Sequence, residues 1–182
     1  TNTLALQIAS EPNKLDPALN STVDGACLAI LAFSGLFMYD ENGQLTPDLV
    51  DTYEMSEDGL TYTFNLRKGV KWHDGEPFTS ADVEFTFQMI MDNNGVIAQE
   101  LNTSVAEMSC PDENTFVMVL NAPNSPILGT LAWYANFILP KHLYEGVEDW
   151  KTCAAATTNP IGTGAYKFVS YDRGVSVVLE KN

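Results

Sequence analysis

A chain of 182 residues with 45% hydrophobic and 18% charged residues has the size and composition of one packed domain or two small ones, not of a disordered tract. Nine Lys and Arg against 24 Asp and Glu leave a formal charge of −15, and between Lys71 and Lys141 nine carboxylates stand without one basic residue. Nucleic acid and anionic lipid surfaces repel such a chain at long range, so no nucleic-acid partner is expected.

Leu4, Leu6 and Ile8 alternate with Ala5, Gln7 and Ala9, the period of a half-buried strand. Pro12 and Pro17 then impose a loop. From about Thr22 to Phe33 a dense apolar run suggests a largely buried helix, capped by Ser21 or Thr22, with Cys27 as a small buried hydrophobe. The uncharged run 25–39 is fifteen residues long, too short for the roughly 20 residues of a spanning helix, and no membrane span is expected. Leu60, Tyr62, Phe64 and Leu66 alternate with Thr61, Thr63, Asn65 and Arg67 after the turn residues 56–59, which predicts a strand. His73-Asp74-Gly75-Glu76-Pro77 is a turn by composition.

Thr79 followed by Asp82 is a capping box, and Val83, Phe87, Ile90 and Met91 form an apolar stripe closed by Asn93-Asn94-Gly95. Residues 105–110 and 115–120 flank Pro111-Asp112-Glu113-Asn114 and read as a hairpin with a four-residue connection. Residues 126–139 read as a helix ending in a strand-like Phe137-Ile138-Leu139. A second hairpin joins Tyr166 and Phe168 to Val175, Val177 and Leu179 through Tyr171-Asp172-Arg173-Gly174, and the strand at Leu4 is its expected partner.

The chemistry-bearing motifs are sparse. His73-Asp74 has no second His at metal-ligand spacing, and a turn is the better reading. No GxSxG elbow occurs, and Gly162-Thr163-Gly164 fails as a dinucleotide fingerprint because strand rather than helix follows it. The three cysteines form no CxxC pair. Paired carboxylates, as in a glycoside hydrolase, remain a rival that the sequence cannot place on particular residues. Trp133-Tyr134 lies in an apolar segment, where either a core role or stacking on a ligand fits.

The run from Tyr53-Glu54-Met55 through Asp58-Gly59-Leu60-Thr61-Tyr62-Thr63-Phe64 and Trp72-His73-Asp74-Gly75-Glu76-Pro77-Phe78 to Ala81-Asp82-Val83 resembles the signature region of a known family. That family is the oligopeptide, dipeptide and nickel class of solute-binding proteins of ABC importers, known as family 5. Leu15-Asp16-Pro17, Gly35-Leu36-Phe37 and Pro160-Ile161-Gly162-Thr163-Gly164-Ala165-Tyr166 fit it in the same order, with Ala165 where the family often has proline.

The resemblance implies an α/β (mixed α+β) fold, the N-terminal part of a class II periplasmic-binding-protein-like lobe with the extra mixed-sheet subdomain of the peptide-binding class. Residues 1–34 and 159–182 would belong to the first lobe's main sheet and 35–158 to the subdomain. A closing lobe would follow Asn182, which makes this chain a fragment. It further implies an extracytoplasmic, lipid-anchored, non-enzymatic protein without a cofactor or metal, which captures peptides and passes them to ABC permease subunits. Nickel chelates and oligosaccharides are the alternative solutes, and a surface adhesion module is a further rival. By resemblance, ligand contacts map onto Ser21, Thr22 and Val23, where Ser21 or Thr22 could equally serve as a cap; Trp133 and Tyr134 are added as cleft candidates. Open strand edges near Lys181 are expected to drive dimerisation of the fragment.

Overall fold

The computed structural model describes residues 15–18, 22–93, 95, 97–133 and 136–182. The strand expected at Leu4 lies outside them. Helix α1 (Val23–Ala32) starts where Thr22 Oγ1 accepts a hydrogen bond from Gly25 N–H at 3.2 Å, and it stops where Phe33 turns extended. Its buried face consists of the small residues Gly25, Ala26, Ala29 and Ala32. Small side chains let another backbone approach closely: Gly164 N–H donates to the Ala32 carbonyl at 3.0 Å. A Cβ added at Gly162 would stand 1.9 Å from that carbonyl oxygen. The opposite face carries Val23, Cys27 and Ile30, all exposed. Cys27 is therefore not the buried hydrophobe its apolar neighbours predict, because the helix is apolar on both faces and buries the glycine and alanine side.

Strands β1 (Phe37–Tyr39) and β2 (Leu45–Pro47) form a short antiparallel pair. A four-stranded antiparallel sheet follows, built from β3 (Val50–Met55), β4 (Thr61–Leu66), β5 (Val105–Asp112) and β6 (Thr115–Leu120) in the order β3-β4-β6-β5. The two central strands bury alternate residues, Tyr62, Phe64 and Leu66 on β4 and Phe116, Met118 and Leu120 on β6. Phe64 lies opposite Phe116 and stacks on it at 6.0 Å. The first hairpin is present, but β5 runs on through Pro111 and Asp112, leaving a two-residue turn at 113–114. Proline is tolerated there because β5 is an edge strand with a register shift between Ser109 and Asp112.

Helix α2 (Ser80–Asp92) covers the apolar face of this sheet with Val83, Phe87 and Ile90, and Phe87 meets Phe116 at 5.9 Å. Its capping box forms as expected, with Thr79 N–H donating to Asp82 Oδ2 at 2.9 Å. The other carboxylate oxygen accepts from Lys141 N–H at 2.9 Å, fixing the start of a later short helix. Helix α3 (Ala98–Ser104) completes this core, with Leu101 fully buried. Trp72 and Phe78 pack edge to face at 6.0 Å beneath the loop that precedes α2.

The stretch 114–140 is uncharged over 27 residues, longer than 25–39. It folds as β6, the five-residue helix α4 (Ile127–Leu131) and an extended segment. No helix among the described residues is long and apolar enough to cross a membrane. Residues 137–139 are not a strand: Ile138 N–H reaches Ser34 O at 2.9 Å, and Leu139 N–H donates to the buried hydroxyl of Thr86 at 2.9 Å. Side-chain and isolated backbone partners satisfy this buried segment without a ladder.

Helices α5 (Lys141–Tyr144) and α6 (Ala154–Thr157) form a second core with α1, in which Ala29, Ala32 and Phe33 meet Leu139, Tyr144 and Ala156. The chain closes on the hairpin β7 (Tyr166–Asp172) and β8 (Ser176–Lys181).

Candidate ligand-binding site

The loop entering α1 is held by a buried carboxylate. Asp16 is fully buried; its Oδ1 accepts from Ala18 N–H at 2.7 Å and its Oδ2 from the Tyr144 hydroxyl. Burial, and then the Asp16 charge, push the Tyr144 hydroxyl far above its ordinary range, so Tyr144 stays a donor. This bond ties Leu15-Asp16-Pro17 to α5 across 128 positions of sequence. Neither Asp16 nor Tyr144 stands out in the sequence as a site-building residue; a carboxylate between Leu15 and Pro17 is the signal that could have marked Asp16, and Tyr144 has none.

Downstream of that anchor, Thr22 acts as the cap of α1. Val23, in the first turn, is 81% exposed and presents an apolar side chain with nothing to cover it among the described residues. Ser21 and Tyr134 lie outside the described residues. Trp133 is 49% exposed, which removes the core alternative for this residue. It lines a concavity of about 430 Å³ together with Tyr39, Ile97, Glu100, Pro126, Gly129 and Thr130. Thr22 and Val23 are not among its lining residues.

A larger open concavity, about 1030 Å³, lies at the far end of β4 and β6, between Arg67, Lys68, Asp51, Asp112 and Glu113. Thr22, Val23 and Trp133 do not line it. No cluster of three or more His, Cys, Asp or Glu with metal-holding geometry occurs among the described residues.

His73 joins two parts of the chain. Its Nδ1 accepts from Gly162 N–H at 3.2 Å, its Nε2 lies 3.0 Å from Gly164 O, and its own N–H donates to Gly162 O at 2.9 Å. Because Nδ1 is an acceptor, the ring proton sits on Nε2 and is donated to Gly164. Burial lowers the His73 pKa, outweighing the carbonyl of Gly164, while Lys167 lowers it further and Asp74 opposes. His73 is thus neutral and structural, as its turn context predicts. Neighbouring Asp74 pairs with His142 at 2.8 Å on the surface. Burial works against its ionisation, but the bonds from His142 and the Glu76 amide prevail and hold its carboxyl below the usual range. The His73 ring nitrogens are thus taken up by backbone groups of Gly162 and Gly164, and His142 Nε2 by the Asp74 carboxylate.

The model for bacterial extracellular solute-binding proteins, family 5 (Middle), matches residues 44–182, which include the signature strand β4 and helix α2 but not α1. The chain belongs to this family. A Brucella ovis protein, provisionally named an ABC transporter peptide-binding protein, is 38% identical over 155 residues, which are 82% of this chain and 29% of that protein. Two solved structures share the fold closely. The PBP AgaA of A. tumefaciens R10, in complex with agropinic acid, has a TM-score of 0.84 at 31% identity over 94% of this chain and 34% of its own. NikZ of Campylobacter jejuni, in complex with Ni(L-His), has a TM-score of 0.83 at 35% identity over 95% of this chain and 34% of its own. This family 5 chain therefore spans about a third of the length of such relatives.

Proposed function

We propose that this chain supplies one wall of the binding cleft of an ABC importer's solute-binding protein, which captures a peptide outside the cytoplasmic membrane and hands it to permease subunits. The observation that carries the reading is the family 5 match across 44–182, joined to a relative named as peptide-binding. Ser21, Thr22 and Val23 at the start of α1 form the ligand edge, since backbone groups and a hydroxyl there address the main chain common to every peptide. Trp133 and Tyr134 add an aromatic contact. In this reading 1–34 and 159–182 belong to the main lobe and 35–158 to its added subdomain, with a second lobe completing the cleft in the full-length protein.

Such a protein breaks no bond, and a lipid anchor holds it at the cell surface. Half a cleft excludes little water, so this chain alone binds a peptide weakly; its open strand edges favour self-association. Titration calorimetry of the full-length protein with tripeptides, a nickel–histidine chelate and a maltooligosaccharide tests the reading. Heat with the tripeptides alone supports it. Response to the chelate or the sugar alone reassigns the solute, and turnover of any of them overturns the receptor role.

A further inference from the structure

The concavity at Trp133 has a chemical character that its lining residues specify. Tyr39 on β1, 50% exposed, and Trp133 after α4, 49% exposed, bring two aromatic rings to one depression from positions 94 residues apart. Tyr39 approaches α4 closely enough that a Cβ on Gly129 would lie 2.8 Å from its hydroxyl, so glycine there admits the ring. The single ionisable carboxylate in the lining is Glu100, near the start of α3. Thr130 donates its hydroxyl to Glu100 Oε1 at 2.9 Å, which orients the carboxylate against α4. Neither the Lys141–Glu145 ion pair nor the His142–Asp74 contact involves Glu100. With no Lys or Arg between positions 71 and 141, the stretch that builds the depression offers no cation of its own.

A carboxylate that shares a depression with two aromatic side chains, on a chain of net charge −15, is chemistry for a positive group. The rings attract a cation through their quadrupoles and the carboxylate through a charge-assisted hydrogen bond. We propose that this concavity binds the ammonium or guanidinium end of a basic side chain, so that the solute taken is a peptide carrying lysine or arginine. The peptide half of this statement rests on the function proposed above; the cation half stands on the concavity itself.

Two measurements separate them. The first follows the Trp133 indole N–H by NMR, assigned by its loss in Trp133→Phe, while n-butylammonium or the uncharged n-butanol is added. Butylammonium is expected to shift that signal saturably and to bind about tenfold more tightly than butanol, and Glu100→Gln is expected to erase the difference. Gln keeps the acceptor for Thr130, so an unchanged melting temperature accompanies the loss. Equal response to butanol, or an ammonium preference that survives in Glu100→Gln, overturns the cation site.

The second titrates the full-length protein with Ala-Lys-Ala and Ala-Ala-Ala. Tighter binding of Ala-Lys-Ala, lost in Glu100→Gln, supports the whole inference. If both tripeptides bind equally, the basic-peptide specificity fails and the peptide reading stands. If neither binds while butylammonium still does, the peptide reading fails and the cation site stands.

Discussion

The four-stranded sheet and the β7–β8 hairpin carry the same alternating pattern in sequence but come to opposite ends. On β4 and β6 every second residue is buried, because each strand is paired on both sides and α2 covers one face. On β7 and β8 no residue is buried; Val169 and Val178 stay exposed beside half-buried Phe168 and Leu179. Alternation reports which residues share a face, and only tertiary partners decide whether that face leaves water. The stability of the chain is therefore concentrated in the sheet and its two helices.

Truncation across the two regions should break or confirm that contrast with the largest effect. Phe64 is fully buried between Phe37, Tyr62 and Phe116. Phe64→Ala is expected to cost about 3–5 kcal/mol, from lost transfer energy and the cavity left behind. Val178→Ala, on a strand position 44% exposed, should change stability by less than about 0.5 kcal/mol. Urea unfolding of both variants measures the difference. Equal losses would mean that the hairpin is as well packed as the sheet.

The junction between the regions yields the next effect. Gly162 and Gly164 press on the last turn of α1, and a methyl group at Gly162 would collide with the Ala32 carbonyl. Gly162→Ala is expected to destabilise by about 1–3 kcal/mol, the usual cost of forcing extra volume into a packed contact. A variant as stable as the wild type would show that the loop moves freely from α1.

This contact also marks a limit of sequence reading. Gly162-Thr163-Gly164 is recognisable as special, but the reason, a backbone 130 residues earlier in the chain, has no local signature. Features set by neighbours in sequence were legible: the α1 cap, the Thr79–Asp82 box, the alternation of β4 and both hairpins. Strand β3 was not, because only Val50 of its six residues is buried and the rest face water on a sheet edge. Cys27 and the segment 137–139 misled for the same reason in reverse, since apolar composition is silent on which face is covered.

The candidate site divides along that line. Thr22 and Val23 could be placed at a helix start from residue types and resemblance, and Trp133 could be named as an aromatic near a helix end. Their setting could not. Tyr39, Glu100 and Thr130 reach Trp133 from three elements far apart in the chain, and Asp16 finds Tyr144 only after α5 docks on α1. Carboxylates are so numerous here that nothing but geometry distinguishes Glu100 from the others.

The smallest expected effect concerns His73, which bridges the sheet-side loop before α2 to the 162–164 loop before β7. Its native pKa is depressed, chiefly by burial, while Asp74 pulls it up and Lys167 pushes it down. Protonation would place an N–H at Nδ1 against the Gly162 N–H it now accepts from. With the folded pKa below the unfolded value near 6.5, the unfolded chain binds more protons as pH falls through that range, and stability drops. The stabilisation is complete above the unfolded pKa and is lost as pH descends to the folded one. His73→Asn removes that titration; losing the two ring hydrogen bonds should cost about 1–2 kcal/mol at neutral pH. Its stability should then change less than the wild type's between about pH 7 and pH 5. Asp74 remains in both proteins, so the difference between the two curves isolates His73. Parallel curves would place the acid sensitivity of the junction elsewhere and leave His73 as a packing residue alone.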